Sequence, residues 1–310
     1  MILSAGLTPA WQQILVFDSF RYGEVNRAAE VHWCASGKVF NAGIGVHHLG
    51  AKSLTLATAG GPPLVQIRAE MESLGVPLEV VETASATRVC TTILDRSTGT
   101  MTELVENGRP MSGVELDLFE ARFAEAAKRA EALILIGTLP QGAPEGYYRR
   151  LLEHASCPSV LDFRGEGLLN ALDLEPTVVK PNREELAQTV GRALDTDESL
   201  LEAMRSLNDR GAQWVVVTSG PGAVWLTSRE ETYRFVPPPV PASEIVNPIG
   251  CGDSMAAALA WAIRDGISVP EAVRLGIGAS VDNLCQLLPC RLNPHRVRHI
   301  AEMVQSSTQS

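Results

Sequence analysis

The stretch Asn247-Pro248-Ile249-Gly250-Cys251-Gly252-Asp253-Ser254 stands directly before an apolar run, residues 255–263, that predicts a helix. Its two glycines permit backbone conformations closed to other residues, so the N–H groups of the turn and of the helix's first turn can converge on one point. Such a helix start binds anions, and Asp253 adds a carboxylate there. An anion hole beside a general base suits phosphoryl transfer to an alcohol. The alternative is a tight turn with Asp253 as the helix N-cap.

Short apolar runs and helical patterns alternate along the rest of the chain. The predicted strands cover residues 2–7, 53–59, 132–136, 159–163, 177–180 and 214–218. The predicted helices cover residues 38–49, 63–74, 114–130, 144–154, 182–190, 197–209, 252–264, 270–287 and 294–305. This alternation predicts an α/β fold with a central, mostly parallel sheet flanked by helices.

Two segments depart from that alternation. Residues 13–35 and 87–106 alternate polar and apolar side chains, and the second contains a predicted hairpin with its turn near Gly99. We expect them to pair into a small β-sheet lid, because open α/β sheets bind ligands beyond the carboxyl ends of their strands. The alternative is that they are surface hairpins of the main domain. The chain is therefore predicted to be one domain, 1–310, with this lid inserted.

Composition excludes several classes of function. The formal net charge is −10 and no Lys/Arg run occurs, which argues against a nucleic-acid partner. The six cysteines form no Cys-x-x-Cys pair, so free thiols are expected. Cys285 and Cys290 are close in sequence but have no histidine at ligand spacing, which argues against a zinc site. No apolar run reaches membrane-spanning length, and the first residues show no basic signal-peptide region. We therefore expect a cytoplasmic protein that gathers positive charge locally around an anionic substrate.

Candidate substrate contacts lie near the first long helix. Gly37 and Lys38 open this helix, and Asn41 follows one turn later, where its amide can bind a hydroxyl. A cation at the positive end of a helix is favourable if an anion also binds there, although a solvated lysine is the alternative. Arg88 begins the second lid segment, and together with Lys38 it could clamp a sugar phosphate.

Two further loops follow predicted strands. Asn182 and Glu185 are three residues apart after Lys180-Pro181, so they share one face of a helix's first turn and could hold Mg²⁺ through its waters. The same spacing fits a capping box. The segment Thr218-Ser219-Gly220-Pro221-Gly222 could line a nucleotide site, or be only a turn.

Together these motifs resemble the PfkB/ribokinase family of carbohydrate kinases, nearest its phosphofructokinase and tagatose-6-phosphate kinase branch. That branch carries Asn-Pro-Ala near the start, Gly-Lys-Gly-x-Asn in the first helix and Thr-Arg on the lid. It continues with Gly-Ser-Leu-Pro, Lys-Pro-Asn-x-x-Glu and Gly-Ala-Gly-Asp-Ser. Counterparts stand here in the same order, from Thr8-Pro9-Ala10 to Asp253, so the resemblance covers nearly the whole chain.

The resemblance implies a Rossmann-like (ribokinase-like) domain with a β lid, a homodimer formed through that lid, Mg²⁺-ATP as donor and a sugar or sugar-phosphate hydroxyl as acceptor. Asp253 is then the general base, and the amides of Gly250, Cys251 and Gly252 form the anion hole. The other implied roles are sugar contacts by Gln12, Gly37 and Asn41, substrate-phosphate contacts by Lys38 and Arg88, Mg²⁺ binding by Asn182 and Glu185, and ATP contacts by Lys180, Thr218, Ser219, Gly220 and Gly222.

Departures from the family pattern lie mainly on the sugar side. Gln12 replaces an aspartate that binds sugar hydroxyls; the other changed positions are Thr8, Ser36, Val39, Pro248 and Cys251. Glutamine can donate as well as accept a hydrogen bond and adds no negative charge, so we expect a shifted acceptor with intact chemistry. A non-catalytic sugar- or nucleotide-binding regulatory protein is the alternative. A kinase for an unphosphorylated sugar or nucleoside is another, although a neutral nucleoside would leave Lys38 and Arg88 without an anionic partner.

Overall fold

The computed structural model describes residues 1–309, and this part of the chain forms fourteen strands and ten α-helices. The strands are β1 (Ile2–Gly6), β2 (Ala10–Phe17), β3 (Glu30–Ser36), β4 (Ser53–Ala59), β5 (Leu78–Glu82), β6 (Arg88–Asp95), β7 (Thr100–Val105), β8 (Ala132–Ile136), β9 (Ser159–Asp162), β10 (Val178–Val179), β11 (Trp214–Val217), β12 (Val224–Thr227), β13 (Thr232–Val236) and β14 (Gln305–Gln309). The helices are α1 (Lys38–His48), α2 (Pro62–Ser73), α3 (Gly113–Ala127), α4 (Tyr147–Leu152), α5 (Glu166–Leu169), α6 (Arg183–Val190), α7 (Asp197–Asp209), α8 (Cys251–Arg264), α9 (Val269–Leu284) and α10 (Pro294–Met303). None of these helices is long and apolar enough to cross a membrane.

Ten strands form the large sheet, in the order β14-β13-β12-β11-β10-β9-β8-β1-β4-β5. The seven strands from β11 to β5 pair in parallel, and β12, β13 and β14 add an antiparallel edge. Residues of α1, α2, α8, α9 and α10 pack in the core on one face, and residues of α3 to α7 pack on the other. Both β1 and β8 are buried along their whole length, as strands of a sheet covered on both faces must be. The predicted α/β architecture is confirmed.

The direction of strand addition reverses beside β1. From β1 the chain builds outward through β4 and β5 on one side, and through β8 to β11 on the other. At such a switch point the connections leave in opposite directions and open a crevice at the carboxyl ends of the strands. The backbones are close here: a Cβ at Gly6, the end of β1, would lie 2.4 Å from the carbonyl oxygen of Ile136.

The small sheet has the order β3-β2-β6-β7. Strand β2 pairs antiparallel with β3 and parallel with β6, and β6 and β7 form the predicted hairpin. One face of this sheet packs against Leu287 and Leu288 of the main body through Ile14, Val16 and Cys34. The prediction that two separate segments pair into a small sheet is therefore confirmed.

The predicted helix 294–305 is wrong at its end. Helix α10 stops at Met303, and Gln305–Gln309 pairs with β13 as an antiparallel edge strand. This Gln-Ser-Ser-Thr-Gln segment has no apolar alternation, so nothing local marks it as a strand. The open edge of β13 supplies the hydrogen-bonding partners. Strands β5, β12 and β13 were likewise not predicted from the sequence.

Candidate active site

Polar residues meet at the carboxyl edge of the large sheet. Five neighbouring parallel strands, β1, β8, β9, β10 and β11, end at this edge. The residues at or just after these ends are, in order, Thr8, Gly137, Asp162, Lys180 and Thr218. Helices α1 and α8 begin at the same edge, because Lys38 and Asp253 share neighbours there. The tertiary structure thus brings Lys38, Lys180, Thr218 and Asp253, all predicted from the sequence, to one edge of the sheet.

The turn before α8 has free backbone donors. Gly250 is the N-cap, with φ 87°, and no side chain caps the helix, so the alternative that made Asp253 the N-cap is wrong. The N–H groups of Gly252 and Asp253 have no acceptor within residues 1–309, whereas the N–H of Cys251 donates to the carbonyl of Pro248 at 3.3 Å. Two unpaired donors at the positive end of a long helix form an anion-binding point.

Asp253 lies in this first turn and is 7% exposed. Its Oδ2 accepts a hydrogen bond from Asn41 Nδ2 at 2.8 Å, and Asn41 Oδ1 in turn accepts one from Ser36 Oγ at 3.1 Å. Burial raises the pKa of Asp253 to about 6, against the opposing effect of the nearby Lys38 ammonium. A carboxylate with such a pKa is ionised at neutral pH and still has appreciable proton affinity, which is what a general base needs.

Asp162, at the end of β9, was missed by the sequence analysis. Its side chain is 1% exposed; Oδ1 accepts a hydrogen bond from Lys38 Nζ at 2.7 Å, and Oδ2 lies 2.9 Å from Lys180 Nζ. Burial alone would raise the pKa of this carboxyl, but the two ammonium groups hold it below its usual value. A signal was present, because a carboxylate that ends an apolar predicted strand lies at the ligand-binding edge of an α/β sheet.

Lys38 contacts two carboxylates of the site. Besides Asp162, its Nζ donates to Glu185 Oε1 at 3.0 Å. Burial acts to lower its pKa, but Asp162, Glu185 and Asp253 together raise it well above the usual lysine value. The lysine is therefore a fixed cation in this arrangement.

Asn182 and Glu185 form the capping box that was the alternative interpretation. Asn182 Oδ1 accepts from the Glu185 N–H at 2.7 Å, and Glu185 Oε2 accepts from the Asn182 N–H at 3.0 Å. Within residues 1–309 no group of three or more acidic, histidine or cysteine side chains is arranged to hold a metal ion. Mg²⁺ in nucleotide-dependent enzymes commonly takes only one or two carboxylates, with waters and substrate phosphates completing its shell. Glu185 and Asp162, which both face Lys38 Nζ, fit that requirement.

Lys180 brings a second cation to the start of α8. The residue is 3% exposed, and a Cβ built on Gly252 would lie 3.5 Å from its Nζ. Its ammonium group therefore lies beside the free N–H groups, which strengthens the positive potential at that point.

The loop after β11 lies beside the loop after β10. The N–H of Arg183 donates to the Thr218 carbonyl at 2.9 Å, and the Gly222 N–H donates to the Ser219 carbonyl, also at 2.9 Å, closing a turn. Gly220 has φ 55°, and Ser219 Oγ is buried without a partner in the described part of the chain. The turn interpretation thus describes the local geometry, and the loop also borders the residues that precede α6.

Gln12 and Arg88 form their hydrogen bonds within the small sheet and at its base. Gln12 is 2% exposed on β2, and its Nε2 donates to Thr92 Oγ1 at 2.7 Å. The Arg88 guanidinium donates to three backbone carbonyls at the base of the small sheet, those of Thr8, Pro9 and Glu106, at 3.0–3.2 Å. Lys38 and Arg88 therefore share no partner within residues 1–309.

Gly37 requires its glycine. It has φ 79°, and a Cβ there would come within 2.8 Å of the Ala10 N atom. Arg88 and Arg109 line a small crevice at the base of the small sheet. Neither Asp253 nor Lys38 lines this crevice, whereas Thr8, which follows β1 at the carboxyl edge of the large sheet, does.

The sequence profile described as "pfkB family carbohydrate kinase" matches residues 2–284. The chain belongs to this family. The pfkB architecture also recurs in solved structures. Phosphofructokinase-2 from Escherichia coli in complex with substrates and products is 25% identical, with a TM-score of 0.88 and coverage of 97% of this chain and 98% of that one. A possible 1-phosphofructokinase from Thermotoga maritima is 19% identical, with a TM-score of 0.91 and coverage of 100% and 99%. A putative phosphofructokinase from Staphylococcus aureus is 22% identical, with a TM-score of 0.79 and coverage of 100% and 99%.

Membership of the pfkB family makes this chain a sugar kinase, a phosphotransferase with an alcohol group as acceptor. Carbohydrate kinases take the phosphoryl group from ATP, typically with Mg²⁺.

Proposed function

We propose that this kinase phosphorylates a hydroxyl of a sugar phosphate of the ketohexose-phosphate type. The observation that carries the proposal is Asp253, a buried carboxylate with raised pKa beside two free N–H groups and Lys180. The similar E. coli enzyme has also been solved in complex with fructose-6-phosphate, which supports this substrate class.

Asp253 is the proposed general base. Its Oδ2 is held by Asn41, whereas no donor within residues 1–309 occupies Oδ1, so Oδ1 is free to accept the proton of the attacking hydroxyl. As the proton moves onto Oδ1, the acceptor oxygen attacks the γ-phosphorus of ATP and the bond to the ADP oxygen breaks. Proton transfer to a positioned base contributes about 10²–10⁴-fold to rate.

The start of α8 stabilises the charge on the moving phosphoryl group. The proposed anion hole consists of the free N–H groups of Gly252 and Asp253, with the Lys180 ammonium beside Gly252 and Gly250 forming the left-handed turn before them. The Cys251 N–H, which the resemblance implied as a further donor, is engaged by the Pro248 carbonyl. Pre-oriented donors in a site that excludes water need no reorganisation during the reaction, and for that reason each is worth several kcal/mol, on the order of 3.

Glu185 and Asp162 would hold Mg²⁺, with Asn182 beside them, and the ion would supply positive charge to the phosphates of ATP. Lys38 donates to both carboxylates, so it would share them with the ion. The Thr218–Gly222 loop is proposed to border the nucleotide, with Ser219 Oγ as an unused donor.

The acceptor is proposed to lie between Asn41 and the base of the small sheet. Gly37, Gln12 and Asn41 are proposed to border its sugar, and Lys38 and Arg88 are the candidate cations for its phosphate. Lys38 donates to Asp162 and Glu185, and the Arg88 guanidinium donates to three backbone carbonyls. Gln12 in place of the family aspartate supports a shifted acceptor preference.

The outer face of the small sheet is proposed to form a homodimer interface. Trp11 and Trp33 stack there with ring centroids 6.0 Å apart, and Val31 lies on the same face of β3. Trp33 is 43% exposed and Val31 is 52% exposed, an apolar patch that isolated chains seldom leave to water. A Trp33→Lys variant should change a dimer to a monomer in analytical ultracentrifugation; a wild type that is already monomeric refutes the interface.

ADP release from Mg²⁺-ATP across a panel of sugars, sugar phosphates and nucleosides tests the function, with Asp253→Asn as the inactive variant. Asp265→Asn, an exposed change at the other end of α8, is the matched control. Turnover with a phosphorylated ketose that Asp253→Asn abolishes supports the proposal, and a neutral sugar or nucleoside as best acceptor overturns its substrate class. Absence of Asp253-dependent turnover with every acceptor favours the alternative, a non-catalytic binding protein.

A further inference from the structure

Strand β3 carries the chain from the small sheet into the active site. It is an edge strand, and it leads through Gly37 directly into α1, which begins with Lys38 and presents Asn41 to Asp253. The placement of its last residues therefore sets the acceptor side of the site. An edge strand has N–H groups that no neighbouring strand pairs.

One of these N–H groups is held by a carboxylate of the main body. Glu70, on α2, accepts the N–H of Ala35 with Oε2, and its Oε1 accepts a hydrogen bond from Arg291 Nη2 at 2.6 Å. The Glu70 and Arg291 side chains are 18% and 14% exposed. Because a buried charge that loses its partner is strongly unfavourable, each side chain constrains where the other can lie.

Arg291 directly follows a residue that supports the anion-hole turn. The Cys290 N–H donates to Asn283 Oδ1 at 2.6 Å, and Cys290 Sγ lies 3.1 Å from Ser254 Oγ. Asn283 Nδ2 also donates to the carbonyl of Ile249 at 2.8 Å. A displacement of the segment that contains Cys290 and Arg291 would therefore shift residues 249–254.

The packing around the turn leaves little slack. A Cβ on Gly250 would lie 3.3 Å from Cys290 Sγ and 2.9 Å from Pro289 Cβ. Cys290 itself has φ 59°, a left-handed conformation that a non-glycine residue adopts only when its surroundings impose it. The segment that ends in Arg291 is thus rigidly fitted to the turn.

We infer that the Glu70–Arg291 ion pair is a positioning device that couples the end of β3 to the anion-hole turn before α8. Contacts run without a break from Ala35 through Glu70, Arg291 and Cys290 to Gly250. A shift of β3 when an acceptor binds is transmitted to the donors that stabilise the transferred phosphoryl group. Both residues act through others and touch no substrate, and this inference rests on the proposed site.

Hydrogen exchange of the full chain, measured by mass spectrometry, tests the coupling without any substrate. Glu70→Gln should accelerate exchange in peptides covering residues 247–254, and Arg291→Met should accelerate it in peptides covering 30–41, by about threefold or more in each case. Arg68→Met is the control, because Arg68 lies on the same helix but pairs with Glu82 in an exposed ion pair. Acceleration confined to the peptides around the substituted residue overturns the inference.

Kinetics supply the second readout. Both variants should raise the KM for the acceptor about tenfold more than the KM for ATP, and Arg291→Lys should restore part of the loss, since the ion pair can re-form. Lowered thermal stability with unchanged KM values per folded molecule would show a merely structural role and overturn the inference. If the wild type phosphorylates no acceptor, the proposed function fails while the exchange result still decides the coupling.

Discussion

The same chemical change at two buried carboxylates should have opposite effects on stability. In Asp253→Asn the substituted group has a raised pKa, so its ionised form is disfavoured in the folded state. Stability from such a group is fully present below pH 3.8, the ordinary value, and is lost as the pH rises through about 6. Asparagine cannot ionise, and the variant therefore escapes this loss.

The magnitude follows from the pKa. The rise from 3.8 to about 6, at about 1.4 kcal/mol for each tenfold change in proton affinity, amounts to about 3 kcal/mol at pH 7.5. At pH 4 the two forms differ by only about 0.5 kcal/mol, because most of the carboxyl is protonated in the folded state. With about 2 °C of melting temperature per kcal/mol for a chain of this size, Asp253→Asn should melt about 6 °C higher at pH 7.5.

Asp162→Asn is the matched comparison. Its pKa is lowered, so its carboxylate contributes stability that is present at neutral pH and is lost as the pH falls through the acid range. Removing it leaves Lys180, 3% exposed, without its anion and should cost about 3 kcal/mol.

Melting curves of the wild type and both variants at pH 7.5 and pH 4 decide the question. Asp253→Asn melting at or below the wild type at pH 7.5, or gaining equally at both pH values, would refute the reasoning, as would a stabilising Asp162→Asn.

Three further predictions follow from the geometry. Lys38→Met should move the acid limb of the kcat/KM profile to higher pH, since the ammonium lowers the pKa of the proposed base; a limb that stays in place contradicts this. Gly37→Ala should lower kcat/KM at least about tenfold, because the added Cβ collides with the backbone. Gly50 is equally left-handed but lies in open space, so Gly50→Ala should lose only about 1 kcal/mol of stability and keep its kcat/KM. Equal losses of kcat/KM in the two variants would count against the contact at Gly37. Glu185→Gln should raise the Mg²⁺ concentration for half-maximal activity roughly tenfold. The control is Glu184→Gln, a change at the exposed neighbour, which should leave that concentration unaltered. Equal effects of the two variants in a Mg²⁺ titration would exclude Glu185 as a ligand.

Local sequence patterns carried much of the architecture. Apolar runs of strand length, each followed by a helical pattern, predicted six of the seven parallel strands, all except β5, because burial on both faces leaves a continuous apolar signature. The capping box at Asn182 and Glu185 was also predictable, because its hydrogen bonds span only three residues. The strand β14 was not, because its polar residues take their conformation from the open edge of β13.

The residues of the candidate site also differ in how far the sequence predicted them. Gly250, Gly252 and Asp253 at the start of α8 were predictable, because the helix start, its unpaired N–H groups and its carboxylate lie within a few consecutive residues. Asp162 carried only the weak signal of its position at a strand end. Lys38 contacts Asp162, 124 residues away, and shares no partner with Arg88. This pairing depends on how β9 and α1 are placed relative to each other in the fold.

The sequence by itself therefore determined most of the parallel strands and the helices between them, the anion-binding turn and the family. The tertiary structure alone decided which charges meet: Lys38 with Asp162 and Glu185, and Glu70 with Arg291 across 221 residues. The physical reason is the distance along the chain over which each kind of interaction acts. Backbone geometry and hydrophobic periodicity act between residues a few positions apart, whereas a buried charge must find its counterion wherever the folded chain places one.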